Sequence, residues 1–197
     1  MRFRSLSFNF NPLLGGVGRL RLGKIKYYLF FRSACATFAD NNLQPRSNMT
    51  IGLASDHAGF ALKQFVKKYL DEQGVSYRDF GTYTEESCDY ADFGHALAYA
   101  VERGEVDSGI AICGSGEGIA MTVNKHPGIR AGLCWIPEIA HLIRQHNDAN
   151  ILVMPGRFIS EDTARQIMDE YFATPFEGGR HQRRIEKIPL EIKKDEE

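Results

Sequence analysis

From Met49 onward, short apolar runs alternate with stretches whose apolar positions recur every three to four residues. The runs predict strands over 50–55 (TIGLAS), 75–81 (VSYRDFG), 108–113 (SGIAIC), 129–135 (IRAGLCW) and 150–156 (NILVMPG). The helical spacing predicts helices over 59–74, 89–105, 117–126, 137–147 and 160–173. In the first helix Leu62, Phe65, Val66, Tyr69 and Leu70 share one face and Gly74 is a stop. In the second, Ala91, His95, Ala98 and Val101 or their neighbours point inward. Pro137 suits a first helical turn, and Ser160 suits an N-cap. The charged stretch from 178 begins as a helix.

Strands that alternate with helices define an α/β protein. The expected architecture is a three-layer α/β/α sandwich around a five-stranded parallel sheet, Rossmann-like, with the near-continuous apolar strand 108–113 at its centre. Right-handed crossovers bring all strand carboxyl ends to one edge, where ligands bind. Asp56-His57, Gly81-Thr82, Cys113 to Gly118, Trp135 to Pro137 and Gly156-Arg157 are therefore expected to share one rim.

Composition supports a chain with a real core: 43% of the 197 residues are hydrophobic and 25% charged. The net charge of −1 hides an asymmetry, because residues 1–48 hold eight of the 24 Lys and Arg but a single acid, Asp40. The remainder keeps 16 basic and 24 acidic residues, a net of −8, which argues against nucleic acid as a partner. Cys35, Cys88, Cys113 and Cys134 form no C-x-x-C pair and no zinc-type cluster with histidine, so no metal is implied and a reducing, cytoplasmic setting is the simpler reading. No apolar run reaches the roughly 18 residues of a membrane span.

Residues 1–48 lack steady periodicity. They read either as an organelle transit peptide, being Arg-rich and acid-poor, or as residues upstream of a natural start at Met49. The second reading is preferred. The segment is expected to be a poorly ordered, non-catalytic extension, with the functional domain at 49–197.

The stretch "ICGSGEG" (112–118) carries the chemistry. Glycines at a strand-to-helix junction let backbone N–H groups converge on an anion. The pattern lacks the Lys-Ser/Thr of a P-loop and the spacing of a dinucleotide fingerprint. Cys113 stands at its mouth, and thiols at such places ionise readily. A thiolate there would take a proton from carbon beside a carbonyl while the N–H groups, helped by the Ser115 hydroxyl, hold the oxyanion. The competing reading makes Cys113 a small buried hydrophobe.

Other rim residues have double readings. Asp56 either caps the next helix or belongs to a site with His57. His146, beside Asn147, suits a helix C-terminus on dipole grounds alone. Arg180 and Arg184 stand four apart in "GGRHQRRIE", a solvated charge run or a pair of forks for a phosphate. Cys88 and Cys134 read as structural, and His95, His126 and His141 as helix-face or surface residues.

Taken together, "SDHAGF", "DYADF", "ICGSGEGIA", "NKHPGIRA", "RQHNDANIL" and "GGRHQRRIE" resemble the ribose-5-phosphate isomerase B family, which includes galactose-6-phosphate and allose-6-phosphate isomerases. The resemblance covers about 49–190. It implies an aldose–ketose isomerase without metal or organic cofactor. By motif, Cys113 is similar to the base that moves a proton between C1 and C2 through an enediolate. Ser115 stands where the family usually has Thr, and the backbone of Gly114, Gly116, Glu117 and Gly118 would hold the enediolate. His146 would open the sugar ring with Asp56 assisting, Asn147 would bind sugar oxygens and Tyr90 would line the pocket. His57, Arg157, Arg180 and Arg184 would hold the phosphate. The resemblance also implies a homodimer with His146 supplied across the interface, and leaves pairing into a tetramer open. A branch of the family uses a glutamate as base, and here that place is Glu117.

The leading expectation is interconversion of ribose 5-phosphate and ribulose 5-phosphate. The alternatives are an isomerase of a six-carbon sugar phosphate, a non-catalytic phosphosugar-binding module, and a thiol sensor built on Cys113.

Overall fold

The computed structural model describes residues 49–190. The expected extension 1–48 and Cys35 lie outside the described residues. The chain runs β1 (Thr50–Ser55), α1 (Phe60–Glu72), β2 (Ser76–Asp79), α2 (Tyr90–Glu102), β3 (Ser108–Cys113), α3 (Glu117–Val123), β4 (Ala131–Leu133), α4 (Pro137–Asn147), β5 (Ile151–Pro155), α5 (Glu161–Ala173) and α6 (Arg180–Ile185).

The five strands form one parallel sheet in the order β2-β1-β3-β5-β4. Alternation along the strands sends side chains to two cores. Ile110, Ile112, Leu152 and Met154 face α1, α4 and α5, where Val66, Leu70, Ala140, Ile167 and Met168 meet them. Ala111, Cys113, Ile151 and Val153 face α2 and α3, against Leu97, Ile119 and Val123. The layered α/β/α architecture is therefore the one the pattern predicted. β3 is buried throughout, as a central parallel strand must be.

Element ends differ from the sequence reading for local reasons. β4 is shorter than predicted because side chains replace its ladder: Arg130 N donates to Asn150 Oδ1 (2.8 Å) and Ala131 N to Asn124 Oδ1 (2.9 Å). The same Asn124 ends α3 early, its amide donating to Ala120 O and Ala131 O. On α2 the buried face is Gly94, Leu97, Ala98 and Ala100, and His95 is exposed. Gly94 lies inward because a Cβ there would press on Thr122 and Ile119 of α3 at 3.1 and 3.2 Å. Ser160 caps α5 as expected, its Oγ accepting from Thr163 N at 3.1 Å.

Leu97 is fully buried and fills the space over the side-chain-free faces of Gly52 and Gly109. Leu97→Ala is expected to cost about 3 kcal/mol. Urea unfolding of the variant beside the native chain checks it.

Candidate active site

Strand order reverses direction at β1 and β3, so their carboxyl ends flank the crevice where doubly wound sheets take ligands. Asp56 follows β1 and Cys113 ends β3. Cys113 is 4% exposed. The loop behind it is fixed at its carbonyls: Gly156 N donates to Cys113 O (2.9 Å) and Arg157 N to Gly114 O (3.1 Å). Gly116 turns the chain into α3 at φ 81°, a left-handed conformation, with Leu133 where a Cβ would stand. Among the described residues, the N–H groups of Ser115 and Gly116 donate to no protein acceptor. Ser115 Oγ accepts from Glu117 N at 3.3 Å, which leaves its hydrogen free to donate. Glu117 is exposed at the first turn of α3, and the Tyr90 ring packs over Gly118, 2.6 Å from where a Cβ would be.

On the β1 side, Asp56 is buried and its Oδ1 accepts from Gly59 N at 2.8 Å. It braces the turn into α1, whose N-cap is Gly59, so the sequence reading of Asp56 as a helix cap holds only for this turn. His57 is half-buried, and its Nδ1 accepts from Cys88 N at 3.3 Å. A backbone N–H can only donate, so neutral His57 carries its proton on Nε2. The Arg157 side chain runs beside Gly114. Asp56, His57, Tyr90, Cys113 to Gly118 and Arg157 thus gather at one edge.

His146, Asn147, Arg180 and Arg184 do not join them within the chain. α4 returns from the carboxyl end of β4 to the amino end of β5, so its last turn lies at the opposite edge. Eleven residues of helix separate the two edges by roughly 16 Å. Arg144 and Arg130 hold this helix end through Asp148, at 2.8 and 3.1 Å. α6 docks there: Glu177 N donates to Gln145 O (3.0 Å), and His181 stacks on His146 at 4.2 Å and 7°.

His181 escaped the sequence reading although it stands between the two arginines. It is buried, and burial, followed by His146, pushes its imidazole below the ordinary 6.5 against the pull of Glu177. His146, Glu177 and His181 come within 4.8 Å of one another. Arg180 Nε donates to His181 Nε2 at 3.2 Å, so this nitrogen, 3.8 Å from Glu177 Oε2, already has a donor within the chain.

His126 also departs from expectation. It is 7% exposed and sits in a chain of bonds: its Nδ1 donates to Glu102 Oε2 (2.9 Å) and its Nε2 accepts from His95 Nδ1 (2.8 Å). Cys134 is buried, which pushes its thiol up to about 12, and it is structural as expected. His141 is half-exposed, its Nδ1 within bonding distance of Thr174 Oγ1 at 3.0 Å.

A glycine turn with unpaired N–H groups and a thiol at its mouth, set at the crossover of a doubly wound sheet, is the arrangement with which α/β proteins take small anionic ligands. The profile of the ribose/galactose isomerase family matches residues 51–188, and the chain belongs to this family. It is similar to ribose-5-phosphate isomerase B of Escherichia coli, 45% identical over 70% of this chain and 93% of that protein. Among solved structures it is similar to a ribose 5-phosphate isomerase from Thermotoga maritima, with 48% identity, TM-score 0.71, and coverage of 72% of this chain and 98% of that one. It is likewise similar to ribose-5-phosphate isomerase B from Mycoplasma genitalium with bound ribulose-5-phosphate, with 39% identity, TM-score 0.68, and coverage of 72% and 94%. No helix of the described residues is long and apolar enough to cross a membrane.

The Gly128 N–H, and then His126, hold the Glu102 carboxyl below the ordinary 4.5. A depressed carboxylate contributes stability above its unfolded value and loses it as pH falls through the folded one. The melting temperature is therefore expected to fall as pH drops below about 4.5, and Glu102→Gln to flatten that acid limb; melting curves of both proteins across acid pH check this.

Proposed function

We propose that the chain is an aldose–ketose isomerase that interconverts ribose 5-phosphate and ribulose 5-phosphate, with residues 49–197 as its functional domain. The observation that carries the reading is Cys113 at the mouth of a glycine turn with unspent N–H groups. Family membership over 51–188 and the relatives named for this activity support it.

The working unit we propose is a homodimer. His146, Asn147, Arg180 and Arg184 lie at the far edge from Cys113, so a second copy must supply them to each site. Exposed Trp135, Ile136 and Leu142 around α4, with Phe158 beyond β5, give such a contact apolar area. A reducing cytoplasmic setting would keep Cys113 a thiol.

In this assembly His57 and Arg157 of one copy and Arg180 and Arg184 of the other grip the phosphate, the forks matching its oxygens. His146 gives a proton to the ring oxygen while Asp56 takes one from the anomeric hydroxyl, which opens the ring. Cys113 as thiolate then removes the C2 proton of the aldose. The electron pair moves onto the carbonyl oxygen, and the resulting enediolate is held by N–H groups of Gly114 to Gly118 and the Ser115 hydroxyl. Each such donor contributes about 3 kcal/mol. With the hydroxyl proton passed from O2 to O1, return of the carbon-bound proton to C1 and collapse of the O2 electron pair into a carbonyl yield the ketose. Asn147 holds sugar hydroxyls, and Tyr90 walls the pocket.

Cys113→Ala is expected to lower kcat by at least about 100-fold with little change in KM for ribose 5-phosphate. Near-native turnover would move the base to Glu117. Allose 6-phosphate and galactose 6-phosphate, assayed alongside, are expected to turn over more slowly. Mixing inactive Cys113→Ala with inactive His146→Ala is expected to restore about a quarter of native activity, since half the dimers then hold one intact site. Activity that stays absent after subunit exchange would place both residues in one subunit's site.

A further inference from the structure

Lys63 is the one lysine among the described residues that is 0% exposed. It lies on α1, one turn after Gly59 and three residues before Val66, on the face that packs against the sheet. Its ammonium is matched by two acceptors, Asp79 Oδ1 at 2.5 Å and Thr82 O at 2.7 Å. Asp79 is braced in turn by Gly81 N (3.0 Å) and Lys67 Nζ (3.3 Å). Burial works to lower the Lys63 ammonium below its ordinary value, with Asp79 opposing.

These contacts fix where the chain goes after β2. Ser55 N donates to Gly81 O and Thr82 N to Ser55 O, both at 2.7 Å, so the backbone is tied to the end of β1. The Thr82 carbonyl is then spent on Lys63, which sets the direction in which the segment 83–89 leaves. The far end of that segment reaches His57: Cys88 N donates to His57 Nδ1 at 3.3 Å. One residue beyond this segment, Tyr90 covers Gly118.

We propose that Lys63 is a positioning residue for substrate phosphate. By fixing the Thr82 carbonyl from which the segment 83–88 departs, it steers the Cys88 N–H that keeps His57 in its Nε2–H form, with that N–H aimed at the phosphate. The assignment rests on the reading of His57 as a phosphate ligand, and the tautomer of His57 is measurable without substrate. Lys63 touches no reacting atom; it acts through the loop.

The test compares the full chain with Lys63→Met and Asp79→Asn, the latter keeping the ammonium but weakening its anchor. Nitrogen chemical shifts of the His57 ring, KM and kcat for ribose 5-phosphate, and melting temperature are measured for each. The native protein is expected to show a single Nε2–H tautomer. Lys63→Met is expected to show a mixture, with KM raised about 10-fold and kcat within about twofold. Asp79→Asn is expected to move both readouts the same way by less, and it decides the matter if Lys63→Met does not fold. A lowered melting temperature with His57 tautomer and KM unchanged would overturn the proposal and leave Lys63 a purely structural cation. If the native chain shows no isomerase turnover, the proposed function fails, while the tautomer comparison still decides the role of Lys63.

Discussion

A parallel strand can follow another only if the chain returns the full length of the sheet, and in this protein that return is made by helices. Everything at a strand's carboxyl end therefore lies on one edge, and everything at the end of a returning helix lies on the other. The residues with chemistry are divided by this constraint. Cys113, its glycine loop, Asp56 and His57 share the first edge, while His146, Asn147, Arg180 and Arg184 share the second. In the proposed reaction Cys113 and His146 act on one sugar, and their separation by the length of α4 is what calls for two apposed copies.

Close approach is the second constraint. Gly59 sits where a Cβ would lie 2.6 Å from Ile112 O, and Gly116 and Gly118 leave room for Leu133 and Tyr90. These small residues let the turn after β1, the loop after β3 and the start of α2 crowd into one crevice. The crowding buries Cys113 and Asp56 while leaving loop N–H groups without protein acceptors. In the proposed reaction such fixed dipoles hold a developing oxyanion at no cost in reorganisation.

Much of this was legible in the residues. Short apolar runs and 3.6-residue periodicity marked each strand and helix from β1 to α5, and the glycines after Cys113 marked the turn whose N–H groups stay unpaired. What stayed hidden has a common cause. His126 looked like a surface histidine because its partners, Glu102 and His95, are distant in sequence and lie on another helix. Lys63 lies on the buried face of α1, where its acceptors Asp79 and Thr82 come from a distant part of the chain. His95 was drawn inward by spacing alone, and the tight α2–α3 crossing at Gly94 turned it outward.

Local patterns determined the element order, the parallel layered architecture and the place of the glycine turn, because periodicity, glycine and capping preferences act within a few residues of the chain. Tertiary structure alone decided which polar groups are paired. Pairing across long sequence separations, such as Lys63 with Thr82, Cys88 with His57 and His146 with His181, depends on crossover geometry and on the free-energy cost of burying a charge or an N–H without a partner. That cost is set by the assembled core, and no short window of sequence carries it.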